Sequence, residues 1–197
     1  MYRFIETIKL CHGKFYRIEL HQKRLETVFA HFFPENNPFQ IEELLCKFDF
    51  PTTGLFKCRI LYSEIALNVT FEPYHLRSIQ SLKLIVVESS LQNFKSENRA
   101  VIQSAFEKRE NADDILMVVD GNITDTSYAN VALLKANRWY TPEKPYLEGT
   151  QRSALLHEAQ IHAREIKAHD LHQFEKISIF NALIEFGELE LPISCIS

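Results

Sequence analysis

The sequence predicts an α+β chain folded as two lobes, and three observations carry that expectation. Residues 3–18, 55–62, 65–74 and 81–87 alternate apolar and polar positions or cluster branched and aromatic side chains, as strands do. Between them, residues 20–33 and 39–48 switch to helical spacing. The polar stretch Glu88 to Asn93 then separates this half from a second alternation of helix and strand.

Taken in order, Arg3 to Leu10 and Lys14 to Ile18 form a hairpin across Cys11-His12-Gly13. A helix over Leu20–Phe33 carries Leu25, Val28, Phe29 and Phe32 on one face and stops before Pro34. A shorter helix covers Phe39–Phe48, and three antiparallel strands follow at Leu55–Tyr62, Ile65–Tyr74 and Ser81–Val87. Beyond the polar stretch come a helix over Glu97–Arg109, a strand at Ile115–Val119, the turn Asp120-Gly121-Asn122 and a strand at Tyr128–Leu134, which Trp139–Thr141 extends. A helix from Gln151 to Glu165, with Thr150 as N-cap, and a strand at Ile177–Ile184 complete the chain. The expected domains are therefore 1–88 and 94–197.

The chain has 197 residues, of which 46% are apolar and 24% charged, a balance suited to a packed core. Its net charge of -4 leaves no broad cationic surface for a nucleic-acid backbone. No apolar run reaches the ~20 residues that span a bilayer, and the start MYRFIETIKL lacks signal-peptide architecture, so a cytoplasmic location is expected. Cys11, Cys46, Cys58 and Cys195 are scattered and are expected as reduced thiols, most of them buried.

The five glycines stand too far apart for a GxGxxG turn or a Walker A loop, so any phosphate must be held at an isolated helix N-terminus. No GxSxG elbow is present. His157 and His162 look like an HExxH pair but are five residues apart, about 140° around a helix, and cannot share a metal. His169 and His172 have no nearby third ligand. No metal site is expected.

Four segments are informative together: LHQKRL at 20–25, FKSENR at 94–99, ITDTSYAN at 123–130 and LEGTQR at 147–152. In that order and at those separations the chain resembles the fold-type IV pyridoxal-phosphate enzymes. That family includes branched-chain and D-amino-acid aminotransferases and 4-amino-4-deoxychorismate lyase. The resemblance implies a two-lobed D-amino-acid aminotransferase-like fold with the cofactor between the lobes, and a C-terminal pseudo-barrel that carries the cofactor lysine.

The resemblance assigns Lys95, within a K-x-x-N-R pattern completed by Asn98 and Arg99, as the lysine that forms the Schiff base with pyridoxal 5'-phosphate. Asp125 falls where the family places a carboxylate, usually glutamate, facing the pyridine nitrogen, and a carboxylate there keeps that nitrogen protonated. Arg24, in the H-x-x-R-L match, and the backbone of Gly149, Thr150 and Gln151 are implied as the phosphate site. Asn130 matches the asparagine after the carboxylate, and Asn181-Ala182-Leu183 matches an NAL segment of the lyase branch. Arg59 and Arg152 are the candidate partners for a dicarboxylate substrate.

Read without the resemblance, Lys95 is a solvated lysine at a helix start, Asp125 a turn residue, Arg24 an exposed helix arginine and Gly149 an ordinary loop glycine. Two features depart from the family pattern. The chain starts at the strand IETIKL, without an N-terminal segment that longer members carry, and Gln151 replaces the usual threonine or methionine. The leading functional expectation is a 4-amino-4-deoxychorismate lyase; the alternatives are an amino-acid aminotransferase and a non-catalytic relative. A homodimer is expected from the family habit.

Overall fold

The computed structural model describes residues 2–88 and 94–197, so the expected connection at Glu88–Asn93 lies outside the described residues except for Glu88. The chain divides into two compact units, Met1–Leu76 with Phe94–Asn98, and Arg77–Asn93 with Arg99–Ser197.

In the first unit, β1 (Phe4–Cys11) and β2 (Lys14–Phe15) meet across His12-Gly13. Both turn residues have positive φ, 47° and 74°, the geometry whose twist matches a two-residue hairpin. β3 (Leu55–Tyr62) pairs antiparallel with β1 from Phe4↔Tyr62 to Cys11↔Leu55, and β4 (Ala66–Pro73) adds to its other side, giving the order β2-β1-β3-β4. Helices α1 (Ile18–Phe32) and α2 (Ile41–Leu45) contribute Leu25, Val28, Phe29, Ile41 and Leu45 to a core with Phe4, Ile8, Ile60 and Tyr62 of the sheet. α2 is shorter than the expected Phe39–Phe48.

The second unit holds β5 (Leu82–Val86), β6 (Asp114–Val119) and β7 (Asn122–Thr126) in one sheet, with α3 (Ala100–Glu107) packed on β6. β5 runs parallel to β6, from Leu82↔Asp114 to Val86↔Val118, so it is not a continuation of the antiparallel β3–β4 pair. That pairing moves the division of the chain from the expected 88–94 region to Leu76/Arg77, and it sends Phe94–Asn98, with Lys95, back to the first unit. All six residues of β6 are buried, which accounts for its unbroken apolar run.

A five-stranded sheet of order β10-β9-β8-β11-β12 is built from β8 (Asn130–Lys135), β9 (Arg138–Pro142), β10 (His162–Arg164), β11 (Lys176–Phe180) and β12 (Glu190–Pro192). Between β9 and β10 lies α4 (Thr150–His157). This helix is half its expected length because Ala159 turns into positive φ (54°) and the chain then joins β9 as a parallel strand. Gly149, not Thr150, is its N-cap. His157 thus ends a helix while His162 begins a strand.

Of the four cysteines only Cys58 is buried; Cys46 is exposed and Cys11 and Cys195 are partly covered, contrary to the expectation that most are buried. Among the described residues no helix is long and apolar enough to cross a membrane, and no group of three or more His, Cys, Asp or Glu side chains could hold a metal.

Candidate active site

In the first unit the site begins with the inward phase of β1, where Phe4, Glu6, Ile8 and Leu10 are all buried. Glu6 is therefore a carboxylate in a core position, and α1 brings its partners from successive turns. Glu6 Oε1 accepts from Arg24 Nε at 2.9 Å, and Oε2 accepts from Arg24 Nη2 and His21 Nδ1, each at 2.5 Å. Burial alone pushes Glu6 upward, but the Arg24 charge and the His21 hydrogen bond outweigh it and hold the carboxyl down at about 2. Burial lowers His21, against the bond and charge of Glu6 and helped by the charges of Arg24 and Lys95. Because an ionised Glu6 only accepts, His21 carries its proton on Nδ1.

Lys95 reaches this unit through the backbone. Ile5 N–H donates to the Lys95 carbonyl at 2.9 Å, Glu97 N–H donates to the Arg3 carbonyl at 2.9 Å, and Phe4 bridges Ser96. The short segment is thereby pinned along the start of β1, one residue from Glu6, with its ammonium near enough to act on His21. Arg59 projects from β3 with Nη2 3.8 Å from Glu97 Oε1, and Arg3 Nε lies 3.1 Å from Glu97 Oε2.

In the second unit, β7 carries Asp125 inward. Asp125 Oδ1 accepts from Asn130 Nδ2 at 2.9 Å, and Oδ2 accepts from the Leu147 N–H at 2.8 Å. Burial pushes its carboxyl up to about 7, against the pull of these two hydrogen bonds and of Arg152. Asn130 Nδ2 also donates to the Leu147 carbonyl at 2.9 Å, so one amide ties the carboxylate to the loop entering α4. Arg99 holds the turn after Asp125 by donating from Nη2 to the Ser127 carbonyl.

The structure gives several of the expected site residues partners within their own unit. Asn130, expected as a cofactor ligand, donates its amide N–H groups to Asp125 and the Leu147 carbonyl. Gly149 has an ordinary extended φ of -79°, and the space a Cβ would take is occupied by Asn130 Oδ1 at 1.9 Å, so the close packing of Asn130 requires a glycine here. Arg152, expected at the substrate, is 3% exposed. Its Nη1 donates to Glu148 at 2.6 Å, its Nε to Thr141 Oγ1 at 3.3 Å and its Nη2 to the Pro142 carbonyl at 2.8 Å, which makes it a brace between α4 and the end of β9.

The Gln151 side chain donates to Glu185 at 3.3 Å, and its backbone N–H lies in the first turn of α4. Its Oε1 is buried with no hydrogen-bond partner among the described residues. Asn181 closes a turn at the end of β11, accepting from Leu183 N–H at 2.8 Å and Ile184 N–H at 3.1 Å, with Ala182 inside that turn. Thr150 is the buried first residue of α4, whose first-turn N–H groups the helix itself cannot satisfy.

The sequence reading passed over Glu6, His21 and Tyr62. Glu6 had a signal: it is the one charged residue on the buried phase of a strand whose other inward positions are Phe4, Ile8 and Leu10. His21 shares the buried face of α1 with Leu25 and Val28, which a helical wheel also shows. Tyr62, fully buried with its hydroxyl unpartnered among the described residues, gave none, because its ring reads as core.

The donor set fits pyridoxal 5'-phosphate. One unit offers a lysine and an arginine braced by a carboxylate, and the other offers a buried carboxyl and a helix N-terminus, the group types that an aldehyde, a phosphate and a pyridine nitrogen require.

Comparison with known proteins agrees. The amino-transferase class IV family profile matches residues 62–189. A Haemophilus influenzae protein of uncharacterized function is 30% identical over 93% of this chain and 98% of its own length. A crystal structure from Haemophilus somnus 129PT, provisionally named a 4-amino-4-deoxychorismate lyase, is 31% identical with a TM-score of 0.86, covering 93% of this chain and 97% of that one. A fold IV transaminase from Curtobacterium pusillum shares the fold at 19% identity and a TM-score of 0.76, with 98% of this chain covering 82% of that one. The chain belongs to the class IV aminotransferase family, whose cofactor is pyridoxal 5'-phosphate.

Proposed function

We propose that this protein is a 4-amino-4-deoxychorismate lyase, forming 4-aminobenzoate and pyruvate. The observation that carries the proposal is the likeness to the provisionally named Haemophilus somnus lyase over nearly the full length of both chains. The K-x-x-N-R pattern at Lys95–Arg99 and the Asn181-Ala182-Leu183 segment support the same branch.

Bound pyridoxal phosphate supplies an electron-accepting ring conjugated with the substrate's nitrogen-bearing carbon. Lys95 would hold the cofactor through Nζ, and its free amine would be the base that takes the proton from the substrate carbon. Asp125 would be the carboxylate that keeps positive charge on the ring nitrogen. For the phosphate, Arg24 would be the partner that the first unit offers, and the first-turn N–H groups of α4 would be the anion-binding groups that the second offers. With Arg152 engaged as a brace, Arg59 is the remaining arginine proposed for a substrate carboxylate. We also propose a homodimer, which sedimentation of the purified protein tests.

The experiment is a product assay: protein incubated with aminodeoxychorismate releases pyruvate and 4-aminobenzoate in equal amounts, and Lys95→Ala releases neither. No product, together with conversion of the cofactor to its aminated form by amino acids, replaces the lyase reading with a transaminase.

A further inference from the structure

A buried carboxylate is an expensive choice for a strand core, because taking the charge out of water costs several kcal/mol that its partners must recover. Glu6 faces Ile60 across the β1–β3 ladder and is completely buried, with Phe4 and Ile8 on the same face. An apolar residue there would serve stability as well. What Glu6 does and an apolar residue cannot is grip Arg24 side-on: Oε1 takes Nε at 2.9 Å and Oε2 takes Nη2 at 2.5 Å, fixing the plane of the guanidinium. His21 Nδ1, at 2.5 Å from the same Oε2, fixes the carboxylate in turn. The Arg24 side chain is still 12% exposed, so the fork is held from inside while part of it reaches the surface of its unit.

We propose that Glu6 is a positioning residue that holds the Arg24 guanidinium in one orientation, and that this orientation is what makes the protein prefer a phosphorylated cofactor over the same ring without phosphate. The inference rests on the reading of Arg24 as the phosphate partner. It has an unusual sign. If Arg24 acted through charge alone, removing the negative charge of Glu6 would strengthen phosphate binding. If orientation governs, removing Glu6 weakens it, because an unbraced arginine must lose side-chain freedom on binding.

The test is equilibrium binding of pyridoxal 5'-phosphate and of pyridoxal to the cofactor-free full chain, for the unsubstituted protein, Glu6→Gln and Glu6→Asp. Both ligands can react with Lys95, so their affinity ratio isolates the phosphate. The expected result is a fall in that ratio of about tenfold in Glu6→Gln and a smaller fall in Glu6→Asp, which keeps the charge but shortens the reach, while pyridoxal affinity stays within about twofold in both. Should Glu6→Gln not fold, Glu6→Asp decides alone. An unchanged or raised ratio, or equal loss of both ligands, overturns the inference while leaving Arg24 as the phosphate partner if the unsubstituted protein shows a preference. No preference in the unsubstituted protein overturns the Arg24 reading and the inference with it.

Discussion

Asn130 occupies the space that a side chain at Gly149 would need: a Cβ there would lie 1.9 Å from Asn130 Oδ1. The backbone of Gly149 is extended, at φ -79° and ψ 144°, so the requirement is one of volume and not of conformation. The same amide of Asn130 donates to Asp125 and to the Leu147 carbonyl, so whatever displaces it also loosens the buried carboxyl.

Gly149→Ala is accordingly expected to destabilise the protein by about 1–3 kcal/mol, the usual range for overpacking a site that cannot yield. Gly149→Ala combined with Asn130→Ala should cost less than the two single changes added together, since the clash disappears with the amide. Urea midpoints for the three variants measure this. Additive losses would mean that the two residues do not meet.

The Asp125 carboxyl, raised to about 7 by burial, makes a prediction about pH. In the cofactor-free protein the folded state keeps this proton over a range where the unfolded chain has already released it. Stability therefore falls as pH rises from about 4 to about 7, by about 4 kcal/mol from this group, and levels off above. Asp125→Asn should abolish that slope and become the more stable protein at pH 8. Equal slopes for both proteins across pH 4–8 would place the Asp125 titration elsewhere.

Arg152 donates to Thr141, Pro142 and Glu148 from a site that is 3% exposed. Arg152→Met should cost about 3 kcal/mol, because a buried carbonyl and hydroxyl lose a charged donor. The folded variant should keep its substrate KM. Full stability with a raised KM would return Arg152 to the substrate site.

The covalent role of Lys95 is open to direct chemistry. Borohydride treatment of the cofactor-loaded protein should fix the cofactor mass on the peptide containing Lys95, and Lys95→Ala should retain no fixed cofactor after the same treatment. A modified peptide from any other lysine would remove Lys95 from the mechanism.

How much of this was legible in the sequence depends on which force decided each element. The β1–β2 hairpin, α1 and β3 follow from local period and turn chemistry, and their bounds lie within two residues of the expected ones except at the end of β2, which stops at Phe15, three residues before the expected Ile18. β5 was readable as a strand but not as a parallel one, because the pairing with β6 is set by residues some thirty positions away. β7 is a strand that the sequence pattern left unassigned between the Asp120-Gly121-Asn122 turn and Tyr128, since Asn122, Thr124, Asp125 and Thr126 are polar where a strand pattern expects apolar residues. The end of α4 was missed because nothing apolar changes at Ala159; the left-handed turn there is imposed by the return to β9.

The site was legible where a motif marks a residue and obscure where a residue works through another. Lys95, Arg24 and Asp125 sit inside matched segments. Glu6 lies outside all of them, and the engagement of Asn130 and Arg152 with their own unit needs the tertiary neighbours to be seen.

The pinning of Phe94–Asn98 against the first residues of β1 limits how the chain can be divided. The lysine segment completes one unit while the sequence on both sides of it, Arg77–Glu88 and Arg99–Ser197, builds the other. A gene cut at a single point cannot yield two whole modules, because a cut between Leu76 and Arg77 separates β1 from the segment whose backbone pairs with it. Neither unit is one uninterrupted stretch of chain, so neither can be made alone by truncation at a single point.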